Sequence, residues 1–159
     1  MHSNNTPSLP FILSVPLKIL PLKSHSHVLV KVLNFILAEN IKEGDLNFLE
    51  SKRACICVAD INIKYYISFD GNRLVAITPG NSNDIEIEAN VYDFLQLAGR
   101  QQDPDTLMFQ RRLVLQGNTE LGLEIKNLLD SIDIESSRYL TKIEYLLQKS
   151  LPVYNKLFG

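Results

Sequence analysis

One stretch constrains this chain more than any other. Met108 to Asp130, MFQRRLVLQGNTELGLEIKNLLD, reads as a strand, a tight turn and a helix in unbroken succession. Phe109, Leu113 and Leu115 share one parity, and Gln110, Arg112 and Gln116 share the other, interrupted by Val114. That alternation predicts a half-buried strand. Gly117 can end it, since a residue without a β-carbon turns at no steric cost. Asn118 is placed to cap the helix, and Glu120 favours the positive end of its dipole. Leu121, Ile125, Leu128, Leu129 and Ile132 then make one apolar stripe. Gly122 weakens the first turn, which predicts the close passage of another backbone.

The 159 residues suffice for one domain with a proper core and are too few for two comfortable ones. A net charge of −2 gives broad nucleic-acid binding little electrostatic support. Nucleic acid is therefore not an expected partner.

The chain opens with a polar tail over residues 1–10. Phe11 to Leu22, FILSVPLKILPL, is apolar but broken by Pro16 and Pro21. A spanning helix needs about 20 apolar residues in a row, so this run predicts no membrane span. Nor does it read as a secretory signal, because Lys and Arg are absent before Lys18. Two readings remain: an arm packed on the domain, or a docking segment in which Phe11, Ile12, Leu17, Ile19 and Leu20 meet a membrane or partner. The expected organisation is an arm over 1–26, a domain over 27–150 and a tail over 151–159.

His27 to Glu39 has helical spacing and is apolar nearly all round, as suits a helix buried on both sides or touching something greasy. Leu46, Phe48 and Leu49 follow as a short plug. Four strands come next: Ala54–Val58, Ile63–Phe69, Arg73–Thr78 and Ile85–Ala89. Asp70-Gly71 joins the second to the third as a hairpin. Asn90, with Asp93 three residues on, predicts a capped helix ending at Gly99. Arg100 to Thr106 reads as a loop. A last amphipathic helix is expected over Ser137–Lys149, closed by Pro152. The order predicts an α+β fold, with the first three strands as an antiparallel meander.

Reagents are scarce. Cys55 and Cys57 lie two apart on a predicted strand, hence on one face. They could be a redox pair or half a metal site with His25 and His27, but small buried thiols beside exposed loop histidines explain them as well. No metal or other cofactor is expected. Tyr65, Tyr66 and Asp93 are the acid–base groups a small enzyme could use.

The order of elements over Ile41 to Ile132 is similar to that of the sterol carrier protein type two (SCP2-like) domain. SVPLKILP, the Leu/Phe-rich helix, EGDLNFLESKRACICVADINIKYYISF and RRLVLQGNTELGLEIKNLLD together resemble the UbiT-type accessory factors of bacterial ubiquinone biosynthesis, over Val15 to Asp130. The resemblance implies a single sterol-carrier-type domain: a sheet of about five strands covered by helices that enclose an apolar lipid tunnel. It implies a non-enzymatic role in oxygen-independent ubiquinone synthesis, holding polyprenylated quinone precursors and presenting them to a pair of partner hydroxylases. The implied location is the cytoplasm, with peripheral contact at the inner membrane left open. The motif brings no catalytic residues. The residues expected to touch lipid are Leu33, Leu37, Phe48, Tyr65, Ile67, Phe94, Leu97, Phe109 and Leu113. A small enzyme, a generic lipid carrier and a lipid-free interaction module are the alternatives.

Overall fold

The computed structural model describes residues 22–131 and, beyond them, residues 145, 148, 149, 151–153, 155 and 156. The polar stretch 1–10, Phe11, Ile12, Leu17, Ile19 and Leu20 of the arm, and most of the expected last helix lie outside the described residues.

Helix α1 spans Leu22–Ile36 and starts earlier than the hydrophobic spacing indicates. His25 and His27 therefore sit on a helix, not in a loop. A break at Leu37 leads to α2, Ala38–Glu43, which Gly44 ends in a left-handed conformation. Leu46 and Leu49 then plug the core as expected, both buried.

Five strands form one sheet in the order β3-β2-β1-β4-β5. They are β1 Ala54–Val58, β2 Ile63–Phe69, β3 Leu74–Ala76, β4 Ile85–Ala89 and β5 Val114–Gly117. The meander β1-β2-β3 is antiparallel throughout. A crossover then brings β4 parallel to β1, and β5 closes the far edge antiparallel to β4. Asp70 fixes the β2–β3 turn, its Oδ1 accepting from the backbone N–H groups of Asn72 and Arg73.

Two connections depart from the expected pattern. Helix α3, Val91–Ala98, starts after Asn90, whose side chain makes no capping bond. The Val91 N–H instead donates to Asp60 Oδ1, at 3.1 Å. The polar stretch after it holds a further helix, α4, Pro104–Phe109. Asp103 caps α4 by accepting from the Thr106 N–H at 2.8 Å and the Thr106 hydroxyl at 2.6 Å, and Pro104 occupies the first turn. The strand expected from Met108 therefore begins only at Val114. Arg111, at φ 58°, makes the corner between helix and strand.

Helix α5 spans Thr119–Ser131. Its start is as expected: the Leu121 N–H donates to Asn118 Oδ1 at 3.0 Å. Gly122 is not approached by another backbone. A β-carbon there would meet Ile85 Cδ1 at 3.7 Å and Leu115 Cβ at 3.9 Å, ordinary side-chain contacts. Residues 151–153, 155 and 156 are helical, so Pro152 does not end helical structure.

Strand alternation sorts the sheet into two faces. Ala54, Ile56 and Val58 share the inner face with Ile63, Tyr65, Ile67, Phe69, Ile85, Ile87, Ala89 and Leu115, by their registers. Helices α1 to α5 pack on this side. The other face carries Lys64, Tyr66, Cys55, Cys57, Glu86 and Glu88. There the Cys55 and Cys57 sulfurs lie 3.5 Å apart, both buried and both free thiols.

Candidate functional site

The inner-face core is continuous only through half-buried residues: Ile87, Leu115 and Leu129 pack against two of its clusters, and Phe94 against another two. Its buried residues fall into three clusters. The largest joins α1, β1, β2, β3, β4 and α5 through Val30, Ala54, Ile67, Leu74, Ile85 and Ile125. A second gathers Val58, Ile61 and Ile63. A third gathers Ala89, Leu107 and Leu113.

The registers show what lies between them. Ile67, Ala54 and Ile85 form one transverse row across the sheet, all buried. Ile63, Val58 and Ala89 form another, also buried. Between these rows run Tyr65, Ile56, Ile87 and Leu115, and each of the four is only half-buried. A row in the middle of a helix-covered sheet face would normally be sealed before its flanks. Here the flanks are sealed and the middle keeps solvent contact.

Half-buried side chains from the helices and loops adjoin the same clusters. Phe94 of α3 packs against both the second and the third. Leu97 and Met108 pack against the third, and Leu129 of α5 against the first and third. Leu33 and Ile36 of α1 pack against the first. On α1, His25, Leu29, Leu33 and Ile36 make a half-buried stripe at helical spacing. Beside it lies a second stripe, Val28, Val32 and Phe35, which is exposed at 60%, 47% and 47%. The apolar lining thus continues onto the outside of the helix.

The row carries one polar atom from a side chain. The Tyr65 hydroxyl lies 2.9 Å from His25 Nδ1, and the two rings meet edge to face at 5.3 Å between centroids. Burial pushes the Tyr65 hydroxyl above its usual range, so it stays protonated at neutral pH.

Of the residues expected to touch lipid, the structure brings Tyr65, Phe94, Leu97 and Leu33 to the half-buried row and its helical cover. Phe48 is half-buried against the largest cluster. Leu37, Ile67 and Leu113 are sealed inside clusters. Phe109 is a correction: it ends α4 and is 91% exposed, because the segment that was to carry it inward is a helix. Ile56, Ile87, Leu115 and Leu129, half-buried beside the same clusters, were not among the expected residues. Their apolar character was legible, but only the register shows that three of them share the one accessible row.

The imagined acid–base groups do not converge. Tyr65 and Tyr66 face opposite sides of the sheet. Asp93 is buried and engaged by Arg112 beside a polar cleft of about 180 Å³, lined by Ala59, Glu88, Asn90, Arg111, Arg112 and Val114 among others. The cysteines are set apart on the outer face, where burial and the neighbouring Cys57 push the Cys55 thiol up to about 12.

The described residues thus form a five-stranded mixed sheet, covered on one face by helices, with an apolar row that keeps partial exposure. Residues 32–130 match the SCP-2 sterol transfer family. This chain belongs to that family. It is 42% identical over 126 residues to the ubiquinone biosynthesis accessory factor UbiT of Escherichia coli (strain K12), covering 79% of this chain and 72% of that one. The UbiT of Escherichia coli O157:H7 matches to the same extent, 42% over 126 residues. Among solved structures, "UbiJ-SCP2 Ubiquinone synthesis protein" shares the SCP2-like fold with a TM-score of 0.58 at 18% identity, covering 71% of this chain and all of that one. The half-buried row lies within the matched SCP2 residues, whereas His25 lies before them. None of the helices among the described residues is long and apolar enough to cross a membrane.

Proposed function

We propose that this protein is a non-enzymatic accessory factor of oxygen-independent ubiquinone synthesis. It holds a polyprenylated quinone precursor on its inner sheet face and presents it to partner hydroxylases. The observation that carries this reading is the accessible row Tyr65–Ile56–Ile87–Leu115 between two sealed rows. The identity with UbiT, named as a ubiquinone biosynthesis accessory factor, supports the pathway.

The energetics fit a carrier. A tail that buries several hundred Å² of apolar surface gains on the order of 10 kcal/mol at about 25 cal/mol per Å². Ordering a flexible tail offsets much of that gain, leaving an affinity loose enough for transfer. The exposed Val28, Val32 and Phe35 offer a surface for peripheral contact with the membrane from which such a cargo is drawn, alongside the arm residues Phe11 to Leu22.

The test is lipid extraction and mass spectrometry of the purified protein, paired with quinone levels in cells grown without oxygen. A bound prenylated phenol or quinone, and a fall in anaerobic quinone when the protein is lost, are expected. A protein that carries no lipid, takes up none when offered, and leaves anaerobic quinone unchanged on deletion is not a carrier.

A further inference from the structure

We propose that His25 and Tyr65 form the polar anchor that selects the cargo's head group, a ring bearing a phenol hydroxyl or a quinone carbonyl. This rests on the carrier reading above and adds to it the residues that tell one lipid from another.

The row is aliphatic from Ile56 through Ile87 to Leu115. Its only polar side-chain atom is the Tyr65 hydroxyl, at the β2 end, and His25 Nδ1 is that hydroxyl's one partner among the described residues. Three inter-strand steps of about 4.8 Å separate Tyr65 from Leu115, so a tail starting at Tyr65 has roughly 14 Å to run, about 10 Å of it between Ile56 and Leu115. A head group at Tyr65 with its tail across Ile56 and Ile87 places each half of an amphiphile against matching chemistry.

A tyrosine hydroxyl has one proton to donate and two lone pairs to accept with. Its bond to His25 can run either way, according to the imidazole tautomer. With Nδ1 unprotonated, the Tyr65 O–H donates to histidine, and its oxygen is left to accept from a ligand phenol. With Nδ1 protonated, histidine donates to the Tyr65 oxygen, and the O–H is left to donate to a ligand carbonyl. One pair thus serves a phenol and the quinone derived from it, by shifting a proton on the imidazole. An arginine or a carboxylate in this place would favour only one kind of partner.

The position also provides access. His25 begins the half-buried stripe of α1, and Val28, one turn on, begins the exposed apolar stripe. The anchor therefore sits where the apolar lining reaches the outside of the helix, and the ring need not cross the sheet to be held.

The experiment uses the delipidated full chain and a competition between three lipids with one tail: a polyprenylphenol, the matching polyprenylquinone, and the polyprene without a ring. Bound lipid is quantified by mass spectrometry. Wild type is expected to enrich the phenol and the quinone about tenfold over the bare polyprene, the effect of one good hydrogen bond. Tyr65→Phe should bring both ratios near one while binding as much bare polyprene as wild type, a result that loss of fold would not give, and His25→Leu, which leaves the hydroxyl unoriented, should lower them. If wild type shows no preference, or if both variants keep it, the anchor is wrong and the carrier stands. If phenol is enriched and quinone excluded, the tautomer exchange is wrong. If wild type takes up none of the three, the carrier reading falls and the anchor with it.

Discussion

Arg112 donates from Nε to Asp93 Oδ1 at 2.9 Å, and its Nη2 group reaches the same oxygen and Gln96. The pair pins α3 to the residues entering β5, and Asp93 is 1% exposed. Burial pushes the Asp93 carboxyl up by more than the Arg112 guanidinium pulls it down. A folded value above the unfolded one gives stability that is full below the unfolded value of about 3.9 and is lost as pH rises through the folded value. Arg112→Met should therefore cost about 3 kcal/mol at neutral pH, where it leaves a buried charge alone. The loss should shrink in acid, where the carboxyl is neutral. Urea unfolding followed from pH 7 downward compares the two, and a loss that does not shrink as pH falls would show that burial does not hold the Asp93 carboxyl above its usual range.

Asn34 treats the edge of the sheet as a neighbouring strand would. Its amide donates to the Leu74 carbonyl at 2.9 Å and accepts from the Leu74 N–H at 2.8 Å. That satisfies two backbone groups which β3 would otherwise leave open. Asn34→Ala should cost about 2 kcal/mol, since each orphaned group loses a partner. Hydrogen exchange at the Leu74 amide should quicken at the same time, and unchanged exchange would show that water or another group takes over.

Two glycines of the organising stretch should respond in opposite directions. A β-carbon at Gly122 finds only ordinary contacts, so Gly122→Ala should stabilise α5 by up to about 1 kcal/mol. Gly117 sits at φ +115°, and a β-carbon there would lie 2.5 Å from the Asp84 carbonyl oxygen. Gly117→Ala should destabilise by more than about 1 kcal/mol. Thermal unfolding of the two variants decides both.

These glycines also mark how far the sequence could be read. The Ala54–Val58 and Ile63–Phe69 strands, the Asp70-Gly71 turn and the Asn118 cap were legible because each is a local device whose signal lies within a few residues. The parity of Phe109 and Leu113 misled because Asp103-Pro104, an N-cap with proline in the first turn, was a stronger local signal inside what was read as a polar loop. At α3 only half of the cap was legible: Asp93 accepts from the Asn90 N–H as a capping box does, but the Asp60 that accepts from Val91 arrives from a distant turn. The same holds for the candidate site. Ile56 and Ile87 look like any core isoleucine until the β1–β4 register sets them beside Tyr65, and no local pattern announces that His25 lies 40 residues away from its partner.

The outer-face thiols should be inert in the folded protein. Burial, with Cys57 beside it, holds the Cys55 thiol up to about 12, far from the thiolate that reacts. Iodoacetamide at pH 8 should alkylate the native chain no faster than it unfolds, and should alkylate it rapidly in denaturant. Prompt labelling of Cys55 in the native state would show that the outer face opens on its own.

The accessible row can be tested without any lipid. Ile56 packs against the largest cluster but keeps partial exposure, so a larger side chain there can extend toward solvent, whereas Ile85 in the adjacent row is 1% exposed. Enlarging a side chain in a packed place forces strain and costs about 1–3 kcal/mol, while enlarging one beside open space does not. Ile56→Phe should leave the melting temperature unchanged or raise it. Ile85→Phe should lower it by several degrees. The same pair then separates fold from function. Ile56→Phe occupies the space a tail would use and should cut the uptake of a prenylated phenol in a stable protein. If Ile56→Phe destabilises as much as Ile85→Phe, the row is as tightly packed as its flanks and the apolar tail must be held elsewhere.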